Sequence, residues 1–129
     1  MAAFTDPELA YLHSQSLMRF ASASPTGRPD IAAVTFSVDG DDIVSSGFDI
    51  AKTVRYRNIQ SNPIAAVVID DLASVDPWTP RGIKARGSVR VEEDAGGQHF
   101  RITPEVIWSW GINEAKAGIP QIERREVQL

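Results

Sequence analysis

The sequence predicts a small, mainly β fold of the barrel type with two short helices. Short segments rich in β-branched and apolar residues recur along the chain, turn signals containing glycine or proline separate them at close spacing, and only two stretches have helical features. A chain of 129 residues can bury one core but not two, so we expect a single domain spanning residues 1–129.

Overall composition and charge exclude several classes of function. The net charge of -4 gives no general attraction to nucleic acid or to anionic lipid, although a local basic cluster can still bind a phosphate. No apolar run approaches the roughly 20 residues that cross a bilayer, and the first residues lack the pattern of a signal peptide. We therefore expect a cytoplasmic protein whose partners are neither nucleic acids nor membranes.

The absence of cysteine restricts the chemistry further. It excludes disulfides, thiolate nucleophiles and iron-sulfur clusters, so redox chemistry has to come from a bound cofactor. The two histidines, His13 and His99, are far apart in the sequence and have no metal-ligand spacing. No metal site is expected.

The N-terminal region predicts a helix followed by a strand. Thr5 or Asp6 can cap a helix over residues 7–14, because proline suits the first helical turn and the next residue is acidic. Leu17–Ala23 reads as a strand that ends in the Ser-Pro-Thr-Gly turn of residues 24–27. A hairpin is expected at this turn.

Two further strands complete a predicted three-stranded meander. Residues 31–38 are rich in β-branched side chains, and the Asp-Gly pair at residues 39–40 is a strong turn signal. Asp42–Ser46 follows as a short strand.

The pattern then changes to one helix and one strongly apolar strand. Residues 51–60 combine a few apolar positions with polar and basic ones, and the Asn-Pro pair at residues 62–63 ends this predicted helix. Residues 64–69, IAAVVI, form an uninterrupted apolar run, which predicts a central strand buried on both faces.

The second half of the chain predicts a loop, two strands and a tail. Residues 70–81 contain two prolines and are interpreted as a surface loop, whereas residues 83–92 alternate as a strand does. Residues 98–112 supply a final strand with a break at Pro104, which cannot donate to a ladder. Residues 113–129 are expected to be irregular or to pack on a partner.

The order of these segments resembles a known family. The segments RPDIAAVTFSVDGDDIVSS, AKTVRYRNIQSNPIAAVVID and RGIKARGSVRV together resemble the pyridoxamine 5'-phosphate oxidase-like split-barrel proteins, which bind flavin nucleotides or the deazaflavin coenzyme F420. The segment ITPEVIWSWGI resembles the actinobacterial F420-dependent branch of that family, which includes reductases related to those acting on dehydrotetracyclines. The likeness covers about residues 5 to 112. It implies an FMN-binding split β-barrel that forms a homodimer with two cofactor sites at the interface.

A phosphate site is expected where the predicted helix begins. Gly47 precedes Lys52, Arg55 and Arg57, and this segment offers backbone N–H groups and positive charge to a cofactor phosphate. In proteins that this chain resembles, a lysine or arginine of this helix binds the phosphate, and both Lys52 and Arg55 fit that role. The alternative is a solvated basic face.

The resemblance also assigns residues to the cofactor ring and its linker. Ala33, Val34 and Thr35 lie on the strand that runs along the ring, and Thr35 can donate to a ring oxygen or nitrogen. Ser45 and Ser46 would face the phosphate or the ribityl chain. The alternatives are that the small residues fit a tightly curved barrel and that the serines belong to a turn.

A second group of residues is expected near the cofactor tail. Trp78, Arg81 and Lys84 could meet a cofactor donated by the partner chain, and Arg81 and Lys84 would suit the poly-glutamate tail of F420. Surface ion pairs explain these residues equally well, and Arg86 is interpreted as an inter-strand ion-pair partner.

Trp108 and Trp110 alternate along one predicted strand. Their indoles should therefore share a face, with Ser109 on the other side. They could form a wall of the ring or substrate pocket, or they could anchor the dimer interface.

The resemblance implies an F420-dependent oxidoreductase that transfers hydride from reduced deazaflavin to an activated double bond of a small organic substrate. No catalytic residue is assigned, because the cofactor carries this chemistry. The chain lacks the C-terminal arginine and histidine motif of true pyridoxamine phosphate oxidases, which argues against vitamin B6 oxidation. The alternatives are an FMN-binding oxidoreductase, a non-catalytic F420 or flavin carrier, and a structural barrel without a cofactor.

Overall fold

A computed structural model describes residues 2–114 and 116–127 of the chain. Within these residues, eight β-strands and two α-helices surround one hydrophobic core, so the predicted mainly β fold is confirmed. The strands are β1 (Leu17–Ala23), β2 (Pro29–Thr35), β3 (Ser37–Asp39), β4 (Asp42–Ser46), β5 (Ile64–Ser74), β6 (Thr79–Asp94), β7 (Gly97–Trp110) and β8 (Ile122–Glu126). The helices are α1 (Asp6–His13) and α2 (Val54–Ser61), and a 3-10 helix, Ile50–Lys52, precedes α2.

The strands form one antiparallel sheet that curls toward closure. The order is β2-β1-β5-β6-β7-β4-β3, and β8 pairs with β7. The two end strands, β2 and β3, are joined in the chain by Phe36 alone, so the sheet meets itself there. The hydroxyl of Ser45 on β4 donates to the carbonyl of Thr35 on β2 at 3.1 Å. The result is the barrel that the spacing of strands predicts.

β7 has two different neighbours along one of its edges, β4 and β8. Its first part pairs with β4, and its last part, from Val106 to Trp110, pairs with β8. Between the two parts the register against β6 shifts, because Gly87 is opposite Pro104 whereas Arg86 is opposite Val106. The predicted break at Pro104 is therefore a bulge, and the strand continues through it.

The core lies inside the barrel and follows the alternation of the strands. Met18 and Phe20 of β1, Ile83 of β6 and Ile102 of β7 are fully buried. The Phe20 and Phe100 rings have their centroids 5.2 Å apart and are tilted by 52°. Burying each of these large side chains contributes roughly 1.5–3 kcal/mol.

The first helix forms as its sequence predicts, with Thr5 as the cap. The Thr5 hydroxyl accepts from the Glu8 backbone N–H at 3.3 Å, and the Glu8 carboxylate accepts from the Thr5 backbone N–H at 2.9 Å. This reciprocal arrangement is a capping box.

The second predicted helix, residues 51–60, is divided in the structure. Thr53 is extended, with φ -91° and ψ 157°, and separates the 3-10 helix from α2. Its hydroxyl donates to the Ile50 carbonyl at 2.6 Å and accepts from the Tyr56 N–H at 3.2 Å. One side chain thus ends the first segment and begins the second.

The prediction of a loop over residues 70–81 is wrong for most of its length. β5 continues to Ser74 and β6 begins at Thr79, so only residues 75–78 connect them. Asp71 lies directly opposite Arg81 and accepts two hydrogen bonds from it, at 2.7 and 2.9 Å. This cross-strand ion pair stabilises the ladder next to Pro80, which is itself part of β6, and only Pro77 lies in the connection.

Three other expectations are corrected. The run at residues 64–69 is not buried on both faces: Ala65, Val67 and Ile69 point inward, while the alternate residues face outward. The expected strand 31–38 is interrupted at Phe36, and the number of strands is eight among the described residues rather than about six.

The prediction of an irregular C-terminal tail is right for residues 113–114 and 116–121 and wrong for the residues that follow them. Residues 122–126 form β8, which pairs with β7. Arg125 donates to the Glu8 carboxylate and to the Ala3 carbonyl, so β8 is fixed to the start of α1. The sequence IERRE has no apolar alternation, so its pattern does not predict a strand. The ladder with β7 and the ion pair between Arg125 and Glu8 hold β8 in place instead of apolar packing. The predicted tail also includes residues 115, 128 and 129, which lie outside the described residues.

In the part of the chain that the structure describes, no helix is both long enough and apolar enough to cross a membrane.

Candidate functional site

A small cradle lies where β4 ends and α2 begins. Gly47 follows β4, and a Cβ at that position would lie 3.0 Å from an Arg55 side-chain nitrogen and 3.1 Å from Ile50. Asp49 takes a left-handed backbone conformation, with φ 59°, as the chain turns into the 3-10 helix. A side chain at this position would therefore press on the end of the Arg55 side chain.

Arg55 is the most unusual polar side chain of this cradle. Its Nε is buried and has no hydrogen-bond partner, and no other buried side-chain nitrogen or oxygen among the described residues is in that state. The guanidinium carbon lies 5.7 Å from the centroid of the Phe100 ring, which supports the cation from within the core. An unsatisfied buried donor of this kind costs about 1–3 kcal/mol unless a ligand satisfies it.

The other predicted phosphate residues differ from Arg55. The Lys52 side chain is 83% exposed and lies 3.3 Å from the Asp49 carboxylate. Arg57 is exposed on α2 and has no ion pair among the described side chains. The structure therefore brings Arg55, rather than Lys52 or Arg57, against the cradle.

The two serines before Gly47 have separate environments. Ser45 is fully buried, and its hydroxyl is engaged with the Thr35 carbonyl. Ser46 is exposed and leads directly into Gly47. Ser45 thus closes the barrel, while Ser46 remains accessible beside the cradle.

The predicted ring-facing residues alternate along β2. Val34 is buried in the core, whereas Ala33 and Thr35 are exposed on the outer face. Ala33 lies opposite Arg19 of β1 in the ladder. Of these three residues, only Ala33 and Thr35 can contact a molecule outside the barrel.

Arg81 is occupied by partners within the chain. Besides its two bonds to Asp71, its guanidinium lies 5.1 Å from the centroid of the Tyr11 ring. Hydrogen bonds from Arg81 hold the pKa of Asp71 below its usual range, while burial and the neighbouring Asp71 raise the pKa of Tyr11. The cluster fixes α1 to the β5–β6 hairpin.

The predicted aromatic residues lie near Arg81, at the end of the sheet away from the cradle. Trp78 is exposed at the tip of the β5–β6 hairpin, and its carbonyl accepts from the Gly118 N–H at 2.7 Å. Trp108 and Trp110 share the outer face of β7, as predicted, and Ser109 is buried on the opposite side. Trp110 packs on Gly82, where a Cβ would overlap the indole.

Lys84 belongs to a group of cations that surrounds Trp108. The Lys84 Nζ lies 4.2 Å from the centroid of the indole, and the guanidinium carbons of Arg86 and Arg124 lie 5.5 and 5.7 Å from it. Arg86 has no ion pair in the described part of the chain, contrary to the interpretation of its sequence position. Arg124 was missed, because only the pairing of β8 with β7 brings it here.

A separate charged network lies on the same outer face, near the opposite end of β7. Arg101 forms ion pairs with Glu92, Asp39 and Asp42 at 2.7 to 3.2 Å. Hydrogen bonds from Arg101 and Arg90 lower the pKa of Glu92 to about 2. Within the described residues no group of three histidine or carboxylate side chains could hold a metal ion.

Comparison with known proteins shows which family this sequence matches and which proteins it is similar to. Residues 4–119 match the family described as pyridoxamine 5'-phosphate oxidase. The chain is 29% identical over 119 residues to a 5a,11a-dehydrotetracycline/5a,11a-dehydrooxytetracycline reductase from Streptomyces rimosus, and the match covers 84% of each protein.

Solved structures share the fold at lower identity. A conserved hypothetical protein from Mycobacterium tuberculosis superposes with a TM-score of 0.70 at 17% identity, covering 83% of this chain and 84% of the other. An F420 reductase superposes with a TM-score of 0.59 at 20% identity, covering 72% of this chain and 89% of the other. These two likenesses show the fold alone.

Proposed function

The chain belongs to the pyridoxamine 5'-phosphate oxidase family, and from this membership we propose that it is an F420-dependent reductase acting on an activated double bond of a small organic molecule. The observation that carries the proposal is the orphaned Arg55 in a glycine-lined cradle. The match to a dehydrotetracycline reductase supports the reaction class. The WSWG segment supports the deazaflavin branch.

The residues of the cradle fit a cofactor phosphate. Arg55 offers a buried N–H that lacks a partner, and Gly47 lies directly beside the guanidinium without a side chain to cover it. Ser46 adds an exposed hydroxyl, and Lys52, which is paired with Asp49, adds an exposed positive charge in the same segment. A phosphate bound here would satisfy Arg55 through charge-assisted hydrogen bonds, which are about twice as strong as neutral ones.

The outer face of β2 fits a planar ring. Ala33 has no bulk to keep a ring away from the strand, and the exposed Thr35 can donate a hydrogen bond to its edge. Both residues lie on the same face of the strand, and Thr35 is joined to β4 by the bond from Ser45. β2 and β4 would therefore hold the ring and the phosphate at a fixed distance and orientation to each other.

The chain's own residues bind and orient in this proposal, and no side chain is assigned a catalytic role. A reduced deazaflavin held here would supply the hydride for one carbon of the double bond, and solvent would supply the balancing proton for the other. Exclusion of water from the ring and alignment of the substrate above it are the protein's contribution.

We further propose that the protein is a homodimer through the outer face of β1, β2 and β5. Leu17, Ile31 and Ile64 are 47%, 66% and 40% exposed on that face. A set of large apolar side chains left open on one side of a sheet is typical of an interface between subunits.

The proposal is tested by titrating the purified protein with F420 and, separately, with FMN, following cofactor fluorescence. Micromolar binding of F420 with weaker binding of FMN supports the deazaflavin assignment. The opposite preference favours an FMN-dependent oxidoreductase on the same cradle, and no binding of either cofactor overturns both.

Two variants locate the site in the same titration. Arg55→Gln should weaken the binding of the preferred cofactor by about tenfold or more, because a charge-assisted contact to phosphate contributes about 1.5–3 kcal/mol. Arg57→Gln removes an exposed cation from the same helix and should leave the affinity within about twofold. Equal effects of the two variants would contradict the assignment of the cradle.

Turnover separates an enzyme from a carrier. Reduced F420 is mixed with the protein and a dehydrotetracycline, and oxidation of the cofactor is followed by its absorbance. Turnover that depends on protein supports the reductase, whereas tight binding without turnover across a panel of activated alkenes favours a carrier.

A further inference from the structure

The cradle at Arg55 has an aromatic floor. The guanidinium carbon of Arg55 lies 5.7 Å from the centroid of the Phe100 ring, and Phe100 has no exposed surface. Arg55 is half-buried, and its Nε has no hydrogen-bond partner among the described residues. The inner side of this cation therefore faces a ring and not a hydrogen-bond acceptor.

Other partly buried arginines of the chain are held by carboxylates. Arg81, Arg101 and Arg125 each have a carboxylate oxygen within 2.7 Å, whereas Arg55 has no ion pair among the described side chains. A carboxylate neutralises the cation that it holds and occupies its N–H groups. The face of an aromatic ring attracts a guanidinium through its quadrupole and leaves the charge and the donors free.

The orientation of the Phe100 ring is itself fixed. The rings of Phe20 and Tyr56 lie 5.2 and 6.4 Å from it, tilted by 52° and 57°. In the ladder between β4 and β7, Phe100 is opposite Ser45, which lies two residues before Gly47. The floor of the cradle and its glycine edge are thus attached to the same pair of strands.

We propose that Phe100 is a positioning residue whose ring holds the guanidinium of Arg55 beside Gly47 before any ligand arrives. This inference rests on the proposed function, because it takes the cradle to be a phosphate site. The ring fixes the cation without using the charge and the N–H groups that a phosphate requires. A cation that is already in place costs less conformational entropy when the anion binds.

Reversing the charge distribution of the ring tests this role. Phe100→pentafluorophenylalanine nearly preserves the shape of the side chain, but the face of a perfluorinated ring is positive and repels a guanidinium. The probe is inorganic phosphate, titrated into the ligand-free protein by calorimetry. We expect the Kd for phosphate to rise at least about threefold in this variant, because an attraction to Arg55 becomes a repulsion.

The same substitution at a second buried ring is the matched control. Phe4 is buried in the N-terminal segment and has no cation over its ring among the described residues. Phe4→pentafluorophenylalanine should leave the Kd for phosphate within about 1.5-fold of the wild-type value. Equal effects of the two fluorinated variants would overturn the positioning role.

The Nε–H of Arg55 provides a readout that requires no ligand. Because this group is buried, its hydrogen should exchange with water more slowly than the Nε–H of the exposed Arg57, as measured by 15N NMR. In the fluorinated Phe100 variant we expect the exchange of Arg55 to become at least about threefold faster. Exchange at the wild-type rate would overturn the proposal.

Thermal unfolding distinguishes positioning from core packing. Both fluorinated variants keep a buried ring of nearly the same volume, so we expect them to unfold at similar temperatures. A lower unfolding temperature for the Phe100 variant with an unchanged Kd for phosphate would mean that the ring serves the core alone, which overturns the proposal.

Failure of this inference differs from failure of the proposed function. Wild-type protein that binds no phosphate at millimolar concentration would overturn the phosphate site and the positioning role together. Phosphate binding that Arg55→Gln abolishes but fluorination of Phe100 leaves unchanged would overturn only the role of Phe100.

Discussion

Glu8, a buried residue, and Arg55, a half-buried residue with a buried Nε, differ in how the fold treats their charges. Glu8 is only 3% exposed, yet it accepts hydrogen bonds from Arg125 and from the Thr5 backbone. Arg55 has a buried donor that nothing in the described chain satisfies. The first arrangement is typical of a residue that stabilises the fold, and the second of a residue kept for a ligand.

Arg55→Met should raise the free energy of unfolding by about 1 kcal/mol, because it removes an unsatisfied buried donor and keeps most of the apolar contact with Phe100. Urea denaturation of the protein without ligand measures this change. Arg57→Met, at an exposed position of the same helix, should alter it by less than about 0.5 kcal/mol. A large loss of stability in Arg55→Met would show that Arg55 is structural.

Glu8 should make the free energy of unfolding depend on pH in the acidic range. Burial by itself raises the pKa of Glu8, but hydrogen bonds from Arg125 and the Thr5 backbone outweigh it, so the pKa lies below the ordinary 4.5. The unfolded chain then binds the proton more readily than the folded one. The stability that Glu8 contributes is present above about pH 4.5 and is lost as the pH falls through the folded-state pKa.

Urea denaturation across this acidic range should therefore give a shallower fall in unfolding free energy for Glu8→Gln than for the wild-type protein. Glu93→Gln, at an exposed position, is the matched control and should keep the wild-type slope. Identical slopes for the wild-type protein and Glu8→Gln would contradict this role of Glu8.

Among the elements, the bulge of β7 sets the direction of the second half of the strand. Gly87 of β6 faces it, and a Cβ there would overlap the Thr103 carbonyl. Gly87→Ala should lower the free energy of unfolding by about 2 kcal/mol, because overpacking against backbone cannot be relieved by a rotamer change. Ser88→Ala, next to it and exposed, should cost less than about 0.5 kcal/mol in the same denaturation experiment. Equal effects would show that the bulge has room to relax.

At the scale of elements, the sequence predicted what depends on local chemistry. Leu17–Ala23 and Asp42–Ser46 have the bounds expected from their apolar pattern and their flanking turns. α1 begins where the capping box of Thr5 and Glu8 places it. The prolines of residues 70–81 suggested a loop, and this prediction is wrong for most of the segment. The strands continue there, and Asp71 and Arg81 form an ion pair across them.

For the whole molecule, the proposed dimer predicts that polar substitutions on one face will separate the subunits. Ile31→Asp combined with Leu17→Asp should convert a dimer to a monomer, because it places charges in an apolar interface. Light scattering after size-exclusion chromatography measures the mass. Val75→Asp, at a position that is even more exposed but lies at the tip of the β5–β6 hairpin, should leave the dimer intact. A wild-type protein that is monomeric at micromolar concentration would rule out this interface.

The sequence by itself determined the class of fold, the capped first helix, most strands and the candidate basic helix, because these depend on side-chain periodicity and on local turn and cap chemistry. Only the tertiary structure decided that β8 pairs with β7, that Arg125 meets Glu8 from 117 residues away, and that Arg55 rather than Lys52 lines the cradle. It also decided that Arg124 joins Lys84 and Arg86 around Trp108. Such neighbours depend on which strands become adjacent and in what register, and that choice is made by the packing of the whole core rather than by any local run of residues.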